Sequence, residues 1–141
     1  MTLGRRAKRL FEDYDHYHRN RYNKLTHVIG IPLIVVSLFA LLGLLTIWGM
    51  SAAQVLVLFA AVYYIWVDIK VGALFVLILI PVCHVSELIS PAIAISMFVV
   101  GWVLQLIGHY IYEKNSPAFY TNLLQLLIGP LWLFARAMRL H

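Results

Sequence analysis

The sequence predicts an all-α integral membrane protein: a four-helix bundle with an N-terminal amphipathic segment and a C-terminal interfacial or re-entrant helix. Of its 141 residues, 62% are hydrophobic and only 12% are charged, and the mean hydropathy is +0.85. A soluble domain of this size buries only about two-thirds of the surface of its unfolded chain, so it could not hide this much apolar area. We expect one membrane-embedded domain covering residues 1–141.

The N-terminal segment is polar and basic, unlike a signal peptide, because it also carries acids and no apolar run begins before Val28. The net charge of +5 is concentrated here, beside the first apolar run. This position favours an anionic lipid surface as the partner, and we expect no nucleic acid. The lone cysteine, Cys83, excludes an internal disulfide. The basic residues of the segment are Arg5, Arg6, Lys8, Arg9, Arg19, Arg21 and Lys24.

Four apolar runs are candidates for the bundle helices, since a spanning helix needs about 20 apolar residues. The runs at 28–50 and 92–112 are long enough to cross a bilayer. The runs at 52–67 and 71–85 are shorter and lie close together, which predicts a tight helical hairpin. A fifth apolar segment is only about half a span long and contains Pro130, which kinks a helix. We therefore expect an interfacial or re-entrant helix at about 120–138.

The distribution of lysine and arginine predicts that both termini face the cytoplasm. The basic N-terminal segment should lie inside, and four crossings return the chain to that side. Arg136 and Arg139 near the C-terminus agree with this topology, as does the outer loop around Glu87, which has no lysine or arginine.

Two polar clusters should meet at the cytoplasmic ends of the first and fourth spans. One consists of His18, Asn23 and His27, and the other of Gln105, His109 and Glu113. Members of the second cluster are spaced i, i+4 and share one helix face. Ionisable groups at membrane depth usually face the bundle interior and mark a functional site. Imidazoles with a carboxylate suit non-haem Fe(II) or Zn(II), so the residues predict a membrane metalloprotein.

A shared metal imposes one condition on the first cluster. At about 100° per residue, His18 and His27 would lie on opposite faces of a straight helix. The helix must therefore break between them, and the polar, asparagine-containing stretch at 19–23 is suited to a break. A purely structural role for His18, His27, His109 and Glu113 is the alternative. His16, His84 and the terminal His141 are assigned to interfacial, structural or terminal positions rather than to the site.

The same residues carry a resemblance to a known family. The pattern Tyr17-His18-x4-Asn23-x3-His27-x2-Gly30-Ile31-Pro32 is followed by Gly101-Trp102-x2-Gln105-x2-Gly108-His109-x3-Glu113-Lys114-x2-Pro117-Ala118, then by Asn122-Leu123-x-Gln125 and Pro130. Together these resemble the membrane 2-hydroxy-fatty-acid dioxygenases of the pathway from phytosphingosine to odd-chain fatty acids.

This resemblance implies a reaction and a set of site residues. The reaction is the shortening of a long-chain 2-hydroxy fatty acid by one carbon (α-oxidation), using Fe(II) and O2 at the membrane lipid interface. His18, His27 and His109 would be iron ligands, although Zn(II) could replace iron in a purified sample. Glu113 would be a fourth ligand or a partner of a ligand, and Asn23 and Gln105 would line the site.

Two alternatives remain at this point. One is a metal-dependent lipid enzyme of another type, such as a hydroxylase or a hydrolase. The other is a non-enzymatic transporter or scaffold. Small four-helix transporters usually place a carboxylate within a span, and the first two spans have none before Asp68. That absence counts against transport.

The topology can be tested with reporter fusions at either end of the chain. Because the lysine and arginine distribution favours four crossings, both reporters should be active on the cytoplasmic side. A C-terminal reporter found outside while the N-terminal one is inside would contradict the prediction.

Overall fold

The computed structural model describes residues 2–140, and His141 lies outside the described part. The predicted helical fold is confirmed, with one small two-stranded ribbon added to it. The elements are α1 (Arg5–His16), α2 (Arg21–Leu42), β1 (Thr46–Ile47), β2 (Met50–Ser51), α3 (Ala52–Val67), α4 (Ile69–Ser86), α5 (Pro91–Leu106), a π-helix (Ile107–Glu113) that continues α5, a 3-10 turn (Ala118–Tyr120) and α6 (Gln125–Ala137).

Within the described residues, three helices are long and apolar enough to cross a membrane: Arg21–Leu42, Ile69–Ser86 and Pro91–Glu113. This fits a membrane protein. The helix α3 is apolar but has only 16 residues. It forms the expected hairpin with α4. Asp68 joins the two helices, and its side chain accepts hydrogen bonds from the backbone N–H groups of Lys70 and Val71.

The predicted first span, 28–50, is displaced towards the N-terminus in the structure. The helix α2 begins at Arg21, because the side chain of Asn20 caps it by accepting a hydrogen bond from the N–H of Tyr22 at 2.8 Å. It ends at Leu42, and the remaining residues of the run form the ribbon of β1 and β2. Apolar composition alone could not predict these limits, since capping and turn geometry set them.

The predicted C-terminal helix, about 120–138, is shorter than expected. The structure divides this segment into a 3-10 turn and α6. The helix α6 packs against α1, where Asp15 accepts hydrogen bonds from the indole N–H of Trp132 at 3.2 Å and from Arg136 at 2.8 Å.

The helix α1 is amphipathic, as predicted, and buries Ala7, Phe11 and Tyr14 on one face. Its N-terminal end is held at the turn between α3 and α4. There the N–H of Gly4 donates to Asp68 Oδ2 at 2.7 Å, and the guanidinium of Arg6 lies 4.1 Å from the centre of the Trp66 ring. These contacts attach the N-terminal end of α1 to the α3–α4 hairpin.

The α3–α4 hairpin depends on a close approach at Gly72. A Cβ atom at this position would overlap the backbone carbonyl of Tyr64, which cannot move as a side chain could. We predict that Gly72→Ala lowers the free energy of unfolding by about 1–3 kcal/mol, despite the better helix propensity of alanine. Thermal unfolding in detergent would measure the loss. Leu77→Ala on the exposed side of the same helix is the control, and an equal effect of both changes would contradict the prediction.

Candidate metal centre

His18 reaches the interior because the helix breaks where the sequence predicted a break. The helix α1 ends at His16 and α2 begins at Arg21, so His18 lies in the short connection between them. Its side chain is only 1% exposed. The ring stacks on Tyr14, with centroids 4.0 Å apart and an interplanar angle of 13°. Tyr14 thereby fixes the plane of the imidazole.

The structure brings His18, His27 and His109 together at one point. Each offers a ring nitrogen, and the three nitrogens lie within 4.8 Å of one another. The ring centroids are 4.4, 4.8 and 4.9 Å apart, with interplanar angles of 70° to 84°. All three side chains are buried. The three rings therefore lie close enough together for one metal ion to bind all of them.

The hydrogen bonds of two of the rings define their tautomers. The Nδ1 of His18 is 2.7 Å from the carbonyl oxygen of Tyr14, and the Nδ1 of His27 is 2.8 Å from that of Asn23. A carbonyl can only accept, so both Nδ1 atoms must carry the proton. In neutral imidazole this leaves a lone pair on each Nε2. The two Nε2 atoms lie 3.0 Å apart, and a cation between them would remove the repulsion of the lone pairs.

The surroundings keep His18 in the form that binds metals. Burial lowers the pKa of His18 to about 4, so that the ring is neutral at neutral pH. Metal-bound histidines commonly donate their second nitrogen to a backbone carbonyl, as both rings do here. Three neutral imidazoles without a thiolate fit a first-row metal such as iron or zinc. The donor set therefore fits the predicted cofactor and does not by itself select the metal.

The carboxylate of Glu113 is hydrogen-bonded to the start of α2 and to the connection before it, and does not belong to the group of three histidines. Its carboxylate accepts hydrogen bonds from the backbone N–H groups of Arg19 at 2.9 Å and Asn20 at 2.8 Å, and from the side-chain amide of Asn23 at 3.0 Å. The metal-capable group formed by the described residues contains the three histidines without Glu113. Ligation by Glu113 stays a prediction, whereas its contact with the connection that carries His18 is a structural fact.

The π-helix places His109 beside α2. Such wider turns are rare and often occur at functional sites. The approach is close at Gly108, where a Cβ atom would overlap the side chains of Asn23 and Thr26. Gly108 thus lets the backbone around His109 contact the helix that carries His27.

A cavity of about 410 Å³ extends from the three histidines between apolar side chains. This volume is within the range of small-molecule sites, about 300–1,000 Å³. Ile34, Leu38, Phe39, Leu56 and Leu79 are among the apolar residues that line it. The cavity can therefore hold an apolar chain whose polar end lies at the histidines.

Four buried polar atoms have no hydrogen-bond partner among residues 2–140: Asn23 Oδ1, Gln105 Nε2, His109 Nδ1 and Gln125 Oε1. Gln105, which the family resemblance assigns to the site, lines the cavity. Tyr14 and Gln125 also line it, although neither was predicted as a site residue. The sequence signal for Gln125 was its place in the extended motif, and Tyr14 carried no signal beyond its position on the apolar face of α1.

The two other described histidines lie outside this cluster, as predicted. His16 is exposed and its Nδ1 accepts a hydrogen bond from the guanidinium of Arg19 at 2.8 Å. His84 is exposed and its Nδ1 donates to the carbonyl of Ile80 at 2.9 Å.

Comparison with known proteins agrees with the motif resemblance. A family model described as 2-hydroxy-palmitic acid dioxygenase Mpo1-like matches residues 5–140. The chain belongs to the Mpo1-like family. It is 29% identical over 120 residues to the 2-hydroxy-palmitic acid dioxygenase MPO1 of Saccharomyces cerevisiae, a match that covers 82% of this chain and 69% of the yeast protein. No solved structure matches it.

The metal centre of this Mpo1-like protein can be tested by substitution. Replacing His18, His27 or His109 singly with alanine should abolish tight metal binding, because each removes one of only three converging nitrogens. His16→Ala and His84→Ala are the matched controls and should retain most of the metal. Elemental analysis of the purified variants measures the content. If His84→Ala lost its metal while His18→Ala kept it, the assignment of the three histidines as ligands would be wrong.

Proposed function

We propose that this chain is an Fe(II)-dependent dioxygenase that shortens long-chain 2-hydroxy fatty acids by one carbon. The observation that carries the proposal is the facing pair of unprotonated Nε2 atoms of His18 and His27, with His109 beside them, at the polar end of an apolar cavity. The name of the yeast relative supplies the substrate class. In the proposed reaction, a 2-hydroxy acid and O2 yield the acid one carbon shorter, CO2 and water, which balances all atoms.

His18, His27 and His109 would hold the iron. Three protein ligands leave coordination positions open, and bound Fe(II) would supply O2 activation and a two-point binding site for the hydroxyl and carboxylate of the substrate. An unsubstituted or 3-hydroxy acid does not offer this pair of oxygens on adjacent carbons.

The apolar part of the cavity would bind the acyl chain. Burial of each CH2 group contributes about 0.8 kcal/mol, so a long chain supplies most of the binding free energy while the polar end determines the position. With an acyl chain bound, the apolar walls would also limit the access of water to the histidines. Lipid-like substrates would enter from the membrane, at the cytoplasmic interface if both termini face the cytoplasm.

Glu113 and Asn23 would act through the backbone. By accepting two N–H groups of the connection between α1 and α2, Glu113 holds the residues next to His18 in place. The amide of Asn23 donates to the same carboxylate, and its carbonyl accepts the Nδ1 proton of His27. Both residues thus orient imidazoles, a role whose loss typically costs about 10- to 100-fold in metal affinity or activity.

The activity can be measured directly. Protein loaded with Fe(II) in detergent or lipid should consume O2 and convert 2-hydroxyhexadecanoic acid to the acid one carbon shorter, as detected by mass spectrometry. Hexadecanoic and 3-hydroxyhexadecanoic acids should react far more slowly, because neither provides the adjacent pair of oxygens.

Two results would overturn the proposal. Intact 2-hydroxy acids of several chain lengths after incubation of the metal-replete protein with O2 would remove the dioxygenase function. Product formation from an ester or amide substrate by the zinc-loaded protein without O2 would instead favour a hydrolase.

A further inference from the structure

Gln125 is a buried polar residue that the fold holds in one orientation. Its side chain is only 5% exposed, and its Nε2 lies 2.5 Å from Oδ2 of Asp13. A carboxylate oxygen accepts, so the amide must donate here, and this contact defines which end of the side chain is the oxygen. The remaining atom, Oε1, is buried without a hydrogen-bond partner among residues 2–140.

The residue that carries this free acceptor borders the cavity of the three histidines. Gln125 lines the same cavity as His18, His27 and His109. Its partner Asp13 directly precedes Tyr14, whose carbonyl accepts the proton of His18 Nδ1 and whose ring stacks on that imidazole. Two adjacent residues of α1 therefore position the amide of Gln125 and the imidazole of His18.

A buried acceptor without a partner in the wall of this cavity would favour acids that carry a hydrogen-bond donor. A fatty acid carboxylate offers only acceptor atoms at neutral pH, and these would face Oε1 unfavourably. A 2-hydroxy acid has one additional group, the hydroxyl, which can donate. A site that contains a buried hydrogen-bonding group discriminates strongly against a ligand that leaves this group unpaired.

We propose that Gln125 Oε1, oriented by Asp13, accepts the hydrogen bond of the substrate 2-hydroxyl and so distinguishes 2-hydroxy acids from unsubstituted fatty acids. The inference rests on the proposed function for the choice of ligand. It assigns the recognition of the hydroxyl to a protein side chain in addition to the metal. Gln125 is thus a specificity-determining residue, and Asp13 is a positioning residue that does not touch the ligand.

The test measures binding without turnover. Displacement of a fluorescent fatty acid gives the dissociation constants of 2-hydroxyhexadecanoic acid and hexadecanoic acid on metal-free protein, and on metal-loaded protein without O2. The metal-free measurement removes the contribution of metal chelation, and comparison of the wild type with Gln125→Met then isolates the contribution of Gln125. The wild type should prefer the 2-hydroxy acid about 10-fold or more, the effect of one hydrogen bond.

Three variants separate the roles. Gln125→Met keeps the length and removes the acceptor, so the preference should disappear on metal-free protein while the metal content of loaded protein stays unchanged. Asp13→Ala leaves the acceptor but releases the amide, so the preference should fall to an intermediate value. Asp13 is exposed, so this variant tests the proposal even if Gln125→Met fails to fold. Glu12→Ala removes the neighbouring exposed carboxylate and should change nothing.

The results distinguish this inference from the proposed function. Equal binding of both acids by the metal-free wild type, or an unchanged preference in Gln125→Met, would overturn the role of Gln125 even if the loaded enzyme shortens its substrate. A preference for the 2-hydroxy acid that depends on Gln125 and Asp13 would support that role even if no shortened acid is formed. In that case only the dioxygenase proposal would be overturned.

Discussion

The arrangement of this chain depends on the contact between His18 and His27. Each ring donates its Nδ1 proton to a backbone carbonyl, and the two Nε2 atoms face one another at 3.0 Å. Two lone pairs at this distance are unfavourable unless a cation lies between them, and the nearby ring of His109 supplies a third nitrogen for such a cation. The interruption of the helix between α1 and α2, and the π-helix that follows α5, bring the three rings together. A shared metal ion requires this convergence.

The surrounding helices separate a polar end from an apolar one. The α1–α2 connection, α2 and the π-helix carry the three histidines. Gln105 and Gln125, each with a buried polar atom that has no partner among residues 2–140, line the same cavity. Apolar side chains of α2, α3 and α4 line the rest of the cavity. This division matches an amphiphilic ligand with a small polar group and a long apolar chain. Tyr14 of α1, whose ring stacks on His18, also packs against Trp132 of α6 with ring centroids 5.1 Å apart.

The sequence predicted the three histidines because topology and spacing could be combined. Under the predicted four-span topology, polar residues at the ends of the first and fourth spans should meet at one face. The angular separation of His18 and His27 required a break between them, and the structure contains that break. The predicted limits of the first span differ from those of α2, because hydropathy contains no information about helix caps and turns. Gln125 was missed because the orientation of its side chain depends on a contact with Asp13, 112 positions away along the chain. Likewise, the spacing of His109 and Glu113 could not reveal that the carboxylate binds the backbone before α2.

X-ray absorption at the metal edge would test the central claim most directly. For the zinc-loaded protein, the account predicts three imidazole nitrogens at about 2.0–2.1 Å. The same three should remain in a Glu113→Gln variant, because that residue contacts the backbone of the α1–α2 connection. Fewer than three imidazoles in the wild type would contradict the metal centre. Loss of an oxygen ligand in Glu113→Gln, with the imidazoles retained, would contradict the backbone role given to Glu113.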